Sequence, residues 1–153
     1  MGGLNSDVRL IGVYEQGSRC SVHRWELLRM AADADVKANL DVEFLPIRDD
    51  VTGVRLTVSF TAMRKGLMRP LARECVVSFF RIGGESASRV MITDTAVYLP
   101  GHLAEVIMET ALAALRGILA IRTRGTALFG RSLPSVSVDS LSWLSLNNGQ
   151  SAL

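Results

Sequence analysis

Apolar and polar residues alternate most regularly in two neighbouring stretches of the chain. From Val36 onward, Val36, Ala38, Leu40, Val42 and Phe44 fall on one side and Lys37, Asn39, Asp41 and Glu43 on the other. That period of two predicts a half-buried β-strand, which Pro46 is expected to end. After a turn over Asp49-Asp50-Val51-Thr52-Gly53 the pattern returns, with Val54, Leu56, Val58, Phe60 and Ala62 set against Arg55, Thr57, Ser59 and Thr61. The two runs predict a hairpin with one wet face. Upstream, Val8 to Glu15 reads as a first strand with apolar groups on both faces, followed by turn chemistry at Gln16-Gly17-Ser18. Downstream, a turn at Arg64-Lys65-Gly66 leads into Leu71 to Ile82, which becomes apolar on both faces at Val76, Val77, Phe79 and Phe80. A strand of that kind requires cover on two sides.

Residues 21–35 fit either a short helix or an irregular crossover, and the crossover is favoured. Residues 90–98 fit a short strand or a short helix. The strongest helical signal opens at Leu99-Pro100-Gly101 and runs to a stop at Gly125. Proline suits an entry turn, Glu105 and Glu109 lie toward the positive end of the helix, and Arg116, Arg122 and Arg124 lie toward the negative end. Between Leu103 and Ile121 this helix is apolar around most of its circumference, so its second face calls for another partner. Gly117 costs about 1 kcal/mol relative to alanine within a helix, which implies a bend or the close approach of another backbone, at an oligomer interface or against the sheet. The tail from Ala127 to Asn147 reads as an extended segment strapped over the core, and residues 148–153 are expected to be disordered. The resulting prediction is a single α+β domain spanning 1–153, with a four-stranded antiparallel sheet packed against a long helix in the C-terminal half.

Composition sharpens this picture in one respect. Hydrophobic residues make up 48% of the chain and the mean hydropathy is +0.26, high for a domain of this size, so some apolar surface is expected to meet a subunit or a ligand. Charge adds little: 17 basic residues oppose 15 acidic ones for a net +2, interspersed along the chain, which is no electrostatic footprint for nucleic acid. Glu105, Glu109 and Arg116 interrupt the longest apolar run and argue against insertion in a membrane. Cys20 and Cys75 stand far apart and the chain opens without a signal-like segment, so a cytoplasmic protein with reduced thiols is expected.

Candidate chemistry is sparse. The phosphate-binding, dinucleotide-binding, nucleophile-elbow and zinc-helix motifs are missing, so no enzymatic activity, cofactor or metal is expected. Cys20 and His23 are suitably spaced for a metal pair, but a full ligand set would have to recruit Cys75 or distant carboxylates; a polar loop residue and, for His102, a residue at the helix start are the plainer readings. Glu74 lies among apolar neighbours and would be a perturbed carboxylate if buried in a pocket, against the commoner outcome of facing solvent or pairing with an arginine such as Arg73 or Arg81. Arg64, Lys65 and Arg69 form a basic turn, by default a solvated hairpin tip.

The order of elements resembles that of the SecB-type protein-export chaperones. The resemblance runs through an opening strand like Val8–Glu15, a crossover, a hairpin like VKANLDVEF and VRLTVSFTA, a fourth strand like ECVVSFFRI and a long helix. Its most specific part is the helix exit: Arg124-Gly125-Thr126, then Ser132-Leu133-Pro134, then Val138-Asp139-Ser140-Leu141. These are similar to the family's R-G-T, L-x-P and N-F-D-A-L pieces. The resemblance implies a homodimer or homotetramer that holds unfolded polypeptides in long apolar grooves without nucleotide. It implies a peptide groove near Val42, Phe44, Tyr98, Leu99, Ile118, Ile121 and Leu128, and a subunit interface at Cys75, Val77 and Phe79. The implied partners are unfolded clients and other copies of the chain, with a translocation ATPase or a dedicated antitoxin-like client as further candidates. Family members are typically acidic and dock the ATPase through acidic sheet positions, whereas this chain is slightly basic and its first strand offers only Glu15. Two other classes remain open: a structural or assembly subunit whose apolar helix is permanently buried, and a small-molecule-binding or enzymatic α+β domain with a closed cavity lined by Phe60, Phe80 and Glu74.

Overall fold

The computed structural model describes residues 7–20, 35–48, 50–64, 66–124, 128 and 133. Four long strands, β1 (Val8–Cys20), β2 (Asp35–Arg48), β3 (Val51–Arg64) and β4 (Leu67–Ile82), form an antiparallel sheet in the order β1-β4-β3-β2. A 3₁₀ turn over Gly84–Arg89, a small hairpin of β5 (Met91–Ile92) and β6 (Val97–Tyr98), and the helix α1 (Gly101–Arg122) follow. The predicted α+β class, with its four-stranded antiparallel sheet and long helix, is therefore the observed one. Residues 90–98 hold the two short strands of this hairpin and no helix.

The alternating hairpin is in the register its sequence implies. Val36, Ala38, Leu40, Val42 and Phe44 of β2 face Ala62, Phe60, Val58, Leu56 and Val54 of β3 across the ladder. The β3 residues of this set are buried, together with Val76 and Phe80 of β4. Helix α1 lays Ile107, Met108, Ala111, Leu115 and Leu119 against them, so one face of the sheet and one stripe of the helix make a single core. Fully burying an aliphatic or aromatic side chain of this kind stabilises by about 1.5–3 kcal/mol.

Three expected boundaries move. Gln16-Gly17-Ser18 is not a turn: β1 continues to Cys20, with register shifts against β4 at Leu10/Gly12 and at Glu15/Gly17. Bulges absorb the extra residues and twist the strand without ending it. Pro46 does not end β2, which runs to Arg48; β2 is an edge strand, where a missing N–H costs no ladder bond. Nor does β4 begin at Leu71. It starts at Leu67, and Pro70 is accommodated beyond Ala72, the last β4 residue that β1 pairs. The connections shorten accordingly, to two residues between β2 and β3 and to Lys65-Gly66 between β3 and β4, where Gly66 takes the positive φ of 77° that L side chains avoid.

The helix also differs from its expectation. Its outward row is Glu105, Glu109, Ala113, Arg116, Gly117 and Ala120, polar or too small to demand cover. A Cβ placed on Gly117 would meet no described residue within 4 Å, so no close backbone contact among the described residues accounts for that glycine. No acid lies in the first turn, while Arg122 occupies the last. The stop at Gly125, the crossover at 21–35 and nearly all of the tail fall outside the described residues.

Candidate functional site

The sheet has a second face, turned away from α1, and the register of the strands lays it out in rows. Gly12, Phe79, Gly53 and Leu45 form one row; Tyr14, Val77, Arg55 and Glu43 the next; then Gly17, Cys75, Thr57 and Asp41; then Arg19, Arg73, Ser59 and Asn39. No described element covers this face, and its two ends differ in character.

At one end the face is apolar. Ile11, Gly12, Tyr14, Leu45, Ile47 and Phe79 surround an open groove of about 640 Å³, with Val77 and Arg55 at its margin. Tyr14 stands edge-on to Phe79 at 5.5 Å between ring centres and is 63% exposed. Leu45 and Phe79 close over Gly53, where an added Cβ would lie 3.3 Å from each, so the glycine keeps the groove floor flat. Exposed Ile11 and Ile47 extend the apolar surface to the two sheet edges.

A polar strap bounds the groove. Arg55 of β3 pairs with Glu43 of β2 at 2.5 Å and donates from Nε to Oε1 of Gln16 on β1 at 2.9 Å, crossing β4 on the way. Val77 lies beneath it and is only 4% exposed. Gln16 also accepts from the Cys75 thiol at 3.3 Å, and that sulfur accepts from the Thr57 hydroxyl at 3.4 Å. Beyond the strap the face is basic, with Arg19 and Arg73 directly opposite one another on β1 and β4.

On the helix side, one polar cluster penetrates the core. Glu74 of β4 is 3% exposed, and its Oε1 has no hydrogen-bond partner. Burial pushes its pKa above the ordinary carboxylate value; a hydrogen bond from Ser18 opposes this, and the neighbouring Glu15 carboxylate adds to it. Glu15 accepts a 2.6 Å hydrogen bond from Arg122 of α1, which holds its own pKa below the ordinary value. The cluster ties β1, β4 and the end of the helix together beside a pocket of about 230 Å³ lined in part by Phe60, Leu119, Thr123 and Leu128. Of the Phe60, Phe80 and Glu74 considered from the sequence, Phe60 and Glu74 line this pocket and Phe80 does not. Among the described residues no group of histidine, cysteine and acid side chains is arranged to hold a metal; His23 lies outside them.

The residues expected to form the peptide groove do not form one continuous wall in the protomer. Phe44 and Leu128 are each 3% exposed and belong to the core, because their side chains face the same interior as Val54 and Leu119. Val42, Leu99 and Ile118 are half-buried at its edge. Tyr98 is exposed just before α1, and Ile121 is 74% exposed in the helix's last turn. A ligand touching both would have to follow the helix for its length, about 33 Å. Cys75, Val77 and Phe79 do share one face, as residues two apart on a strand must.

Sequence reasoning missed Ile11, Tyr14, Leu45 and Ile47 as a group. The signal was present in the apolar residues on both faces of β1 and in Leu45 and Ile47 continuing past the alternating run, but only the bulges and the extension through Pro46 put them on one surface.

No family model and no curated protein sequence matches the chain. Its fold does have a solved counterpart. The structure of Mycobacterium tuberculosis Rv1957, a SecB-like chaperone in complex with a ChAD peptide from the Rv1956 HigA1 antitoxin, superposes with a TM-score of 0.51 over 88% of this chain and 94% of that one, at 15% sequence identity. The chain has a SecB-like fold. That counterpart is a chaperone in complex with a peptide from an antitoxin. Among the described residues, no helix is long and apolar enough to cross a membrane.

Proposed function

We propose that this protein is a molecular chaperone that binds unfolded or extended polypeptide segments on apolar surface, without nucleotide or cofactor, as a homo-oligomer in the cytoplasm. The observation that carries the reading is the uncovered groove of about 640 Å³ on the open sheet face, in a fold shared with a chaperone that holds a peptide. An apolar groove of this kind supplies contact area without demanding a particular sequence, which suits a chain-like client better than a compact small molecule. A second stretch of client contact runs along the margin of α1 and β2, where Val42, Tyr98, Leu99, Ile118 and Ile121 keep part of their surface accessible. The client is a preprotein or a dedicated antitoxin-like protein, and delivery to a translocation ATPase belongs to the first case only.

Self-association uses two surfaces in this reading. One is the strand β4 with Cys75, Val77 and Phe79, a surface that shares Val77 and Phe79 with the apolar groove. The other is the outward strip of α1, where Ala113, Gly117 and Ala120 allow another helix to approach closely. Native mass spectrometry of the full chain, with and without a reduced, unfolded polypeptide and without ATP, tests the proposal. Discrete oligomers that gain the mass of a bound chain, together with suppressed aggregation of that chain, are the expected result. A fixed large assembly that takes up no polypeptide favours a structural subunit and overturns the chaperone reading.

A further inference from the structure

Among the described residues, the basic end of the open face has no partner. Arg19 and Arg73 are direct cross-strand partners, a position that brings side chains to about 5 Å at the Cβ atoms and makes like charges repel. Both are exposed, and among the described residues no acid pairs with either one. The four positions of their row are Arg19, Arg73, Ser59 and Asn39, so the row holds two positive charges and no negative one. Asp41 and Glu43, the nearest acids on this face, stand on β2 at the far side of the sheet, and Glu43 is already engaged by Arg55.

The local shape turns the repulsion into a recess. Gln16, Gly17, Ser18, Arg19, Arg73 and Cys75 line a pocket of about 300 Å³. Gly17 lies opposite Cys75 beside the β1 bulge, and a Cβ added there would meet nothing within 4 Å, so the space between the arginines and the Gln16–Cys75 pair is clear. β1 is an edge of the sheet among the described strands. An extended segment laid along it has backbone groups to bond as well as two guanidinium groups to meet. Arginine's planar fork is suited to a carboxylate in this geometry, and one such group would neutralise the pair.

We infer that the Arg19–Arg73 recess is a docking site for acidic side chains of a polypeptide client, so that the chaperone selects extended segments carrying glutamate or aspartate. This rests on the chaperone reading and adds the chemical class of the client to it. Arg73 lies about 13 Å along β4 from Val77, taking four residues at strand spacing, while Gln16 lines both the recess and the apolar groove, so the two sites adjoin.

The test uses three fluorescein-labelled synthetic peptides of identical apolar content that carry paired glutamates, glutamines or lysines, titrated with the full chain and read by fluorescence anisotropy at low and high salt. With the wild-type chain, the glutamate peptide is expected to bind about three- to tenfold more tightly than the glutamine peptide at low salt, with the lysine peptide weakest, and the advantage should shrink as salt screens it. In the Arg19→Gln/Arg73→Gln variant the glutamate peptide is expected to bind no more tightly than the glutamine peptide. Equal affinity for the glutamate and glutamine peptides, or an advantage that survives in the variant, overturns the inference and leaves the chaperone reading intact. Failure of all three peptides to bind overturns both. If the variant instead changes the oligomer without affecting peptide selectivity, the recess receives a second copy of the chain and the inference is overturned. The salt dependence of the wild-type chain decides the matter even if the variant fails to fold.

Discussion

Replacing Glu74 with methionine should stabilise the protein, and the gain should grow with pH. Glu74 is 3% exposed on the helix side of β4, with one carboxyl oxygen unpartnered. Leaving such a group unsatisfied costs about 1–3 kcal/mol, while an apolar side chain of similar volume costs little at the same place. The hydroxyl of Ser18, which bonds Glu74, is on an exposed residue and can turn to water when the carboxyl is removed. The pH sign follows from the raised pKa. Above the unfolded value of 4.5 the unfolded chain releases this proton before the folded one does, so the folded state loses stability as pH climbs through its own, higher value. Glu15 acts in the opposite sense. Its pKa is lowered by Arg122, so the stability it contributes is present above 4.5 and is lost as pH falls through the folded value. Together these two groups favour mildly acidic solution. Urea unfolding followed by far-UV circular dichroism at about pH 5 and about pH 8 measures the alkaline limb: Glu74→Met should gain about 1–3 kcal/mol at the higher pH and less at the lower one, and Glu74→Gln should flatten that limb. A Glu74→Met variant that is less stable than wild type at both pH values refutes the argument, and would mean that the carboxylate is paired and stabilising.

Three further outcomes follow from the same structure. Phe80→Ala removes a side chain that is 1% exposed in the centre of the core and should cost about 3–5 kcal/mol in chemical denaturation; a loss below about 1 kcal/mol would show that the sheet and helix do not share that core. Gly84→Ala should destabilise by about 1 kcal/mol or more, because Gly84 has a φ of 60° and its Cβ would lie 2.4 Å from Oδ1 of Asp7, whose carboxylate also holds Ser86; an unchanged unfolding midpoint contradicts that geometry. Ile121→Ser should leave stability within about 0.5 kcal/mol, since the side chain is 74% exposed, yet weaken binding of an unfolded client in anisotropy titrations; unchanged client affinity removes Ile121 from the proposed groove.

Much of the fold is legible in the chain because its hairpin alternates strictly. Val54 through Ala62 could bury only one face without exposing every other apolar residue, and the structure buries that one. The turn at Gly66 is legible for an equally local reason, its positive φ. What misleads is residue chemistry whose meaning depends on neighbours. Gln16-Gly17-Ser18 and Pro46 carry turn and breaker signals, but an edge strand tolerates both, and whether a strand lies at an edge is a property of the sheet order and not of the segment. The helix misleads through alanine and glycine. Ala113, Gly117 and Ala120 raise its apolar average while presenting little side-chain area, so a helix that reads as greasy all round has a well-defined buried stripe.

The apolar excess of the composition is therefore displaced from where it was sought. The helix hides its large side chains against β3 and β4, and of the large apolar groups it carries only Ile121 is strongly exposed. Ile11, Tyr14 and Ile47 are exposed together on the other side of the sheet, brought there by two bulges in β1 and by β2 continuing through Pro46, while Leu67, Met68 and Met91 are exposed elsewhere. That face is divided by the Arg55 strap into an apolar end and a basic one. A permanently buried subunit interface gains nothing from leaving Arg19 and Arg73 opposed and unneutralised, since burying two like charges carries a desolvation cost that nothing in the row offsets. A surface that meets changing, solvent-exposed segments does not incur that cost, and it gains selectivity from the same charges. The division of the open face is thus easier to reconcile with transient binding of polypeptide than with a fixed structural contact across its whole extent.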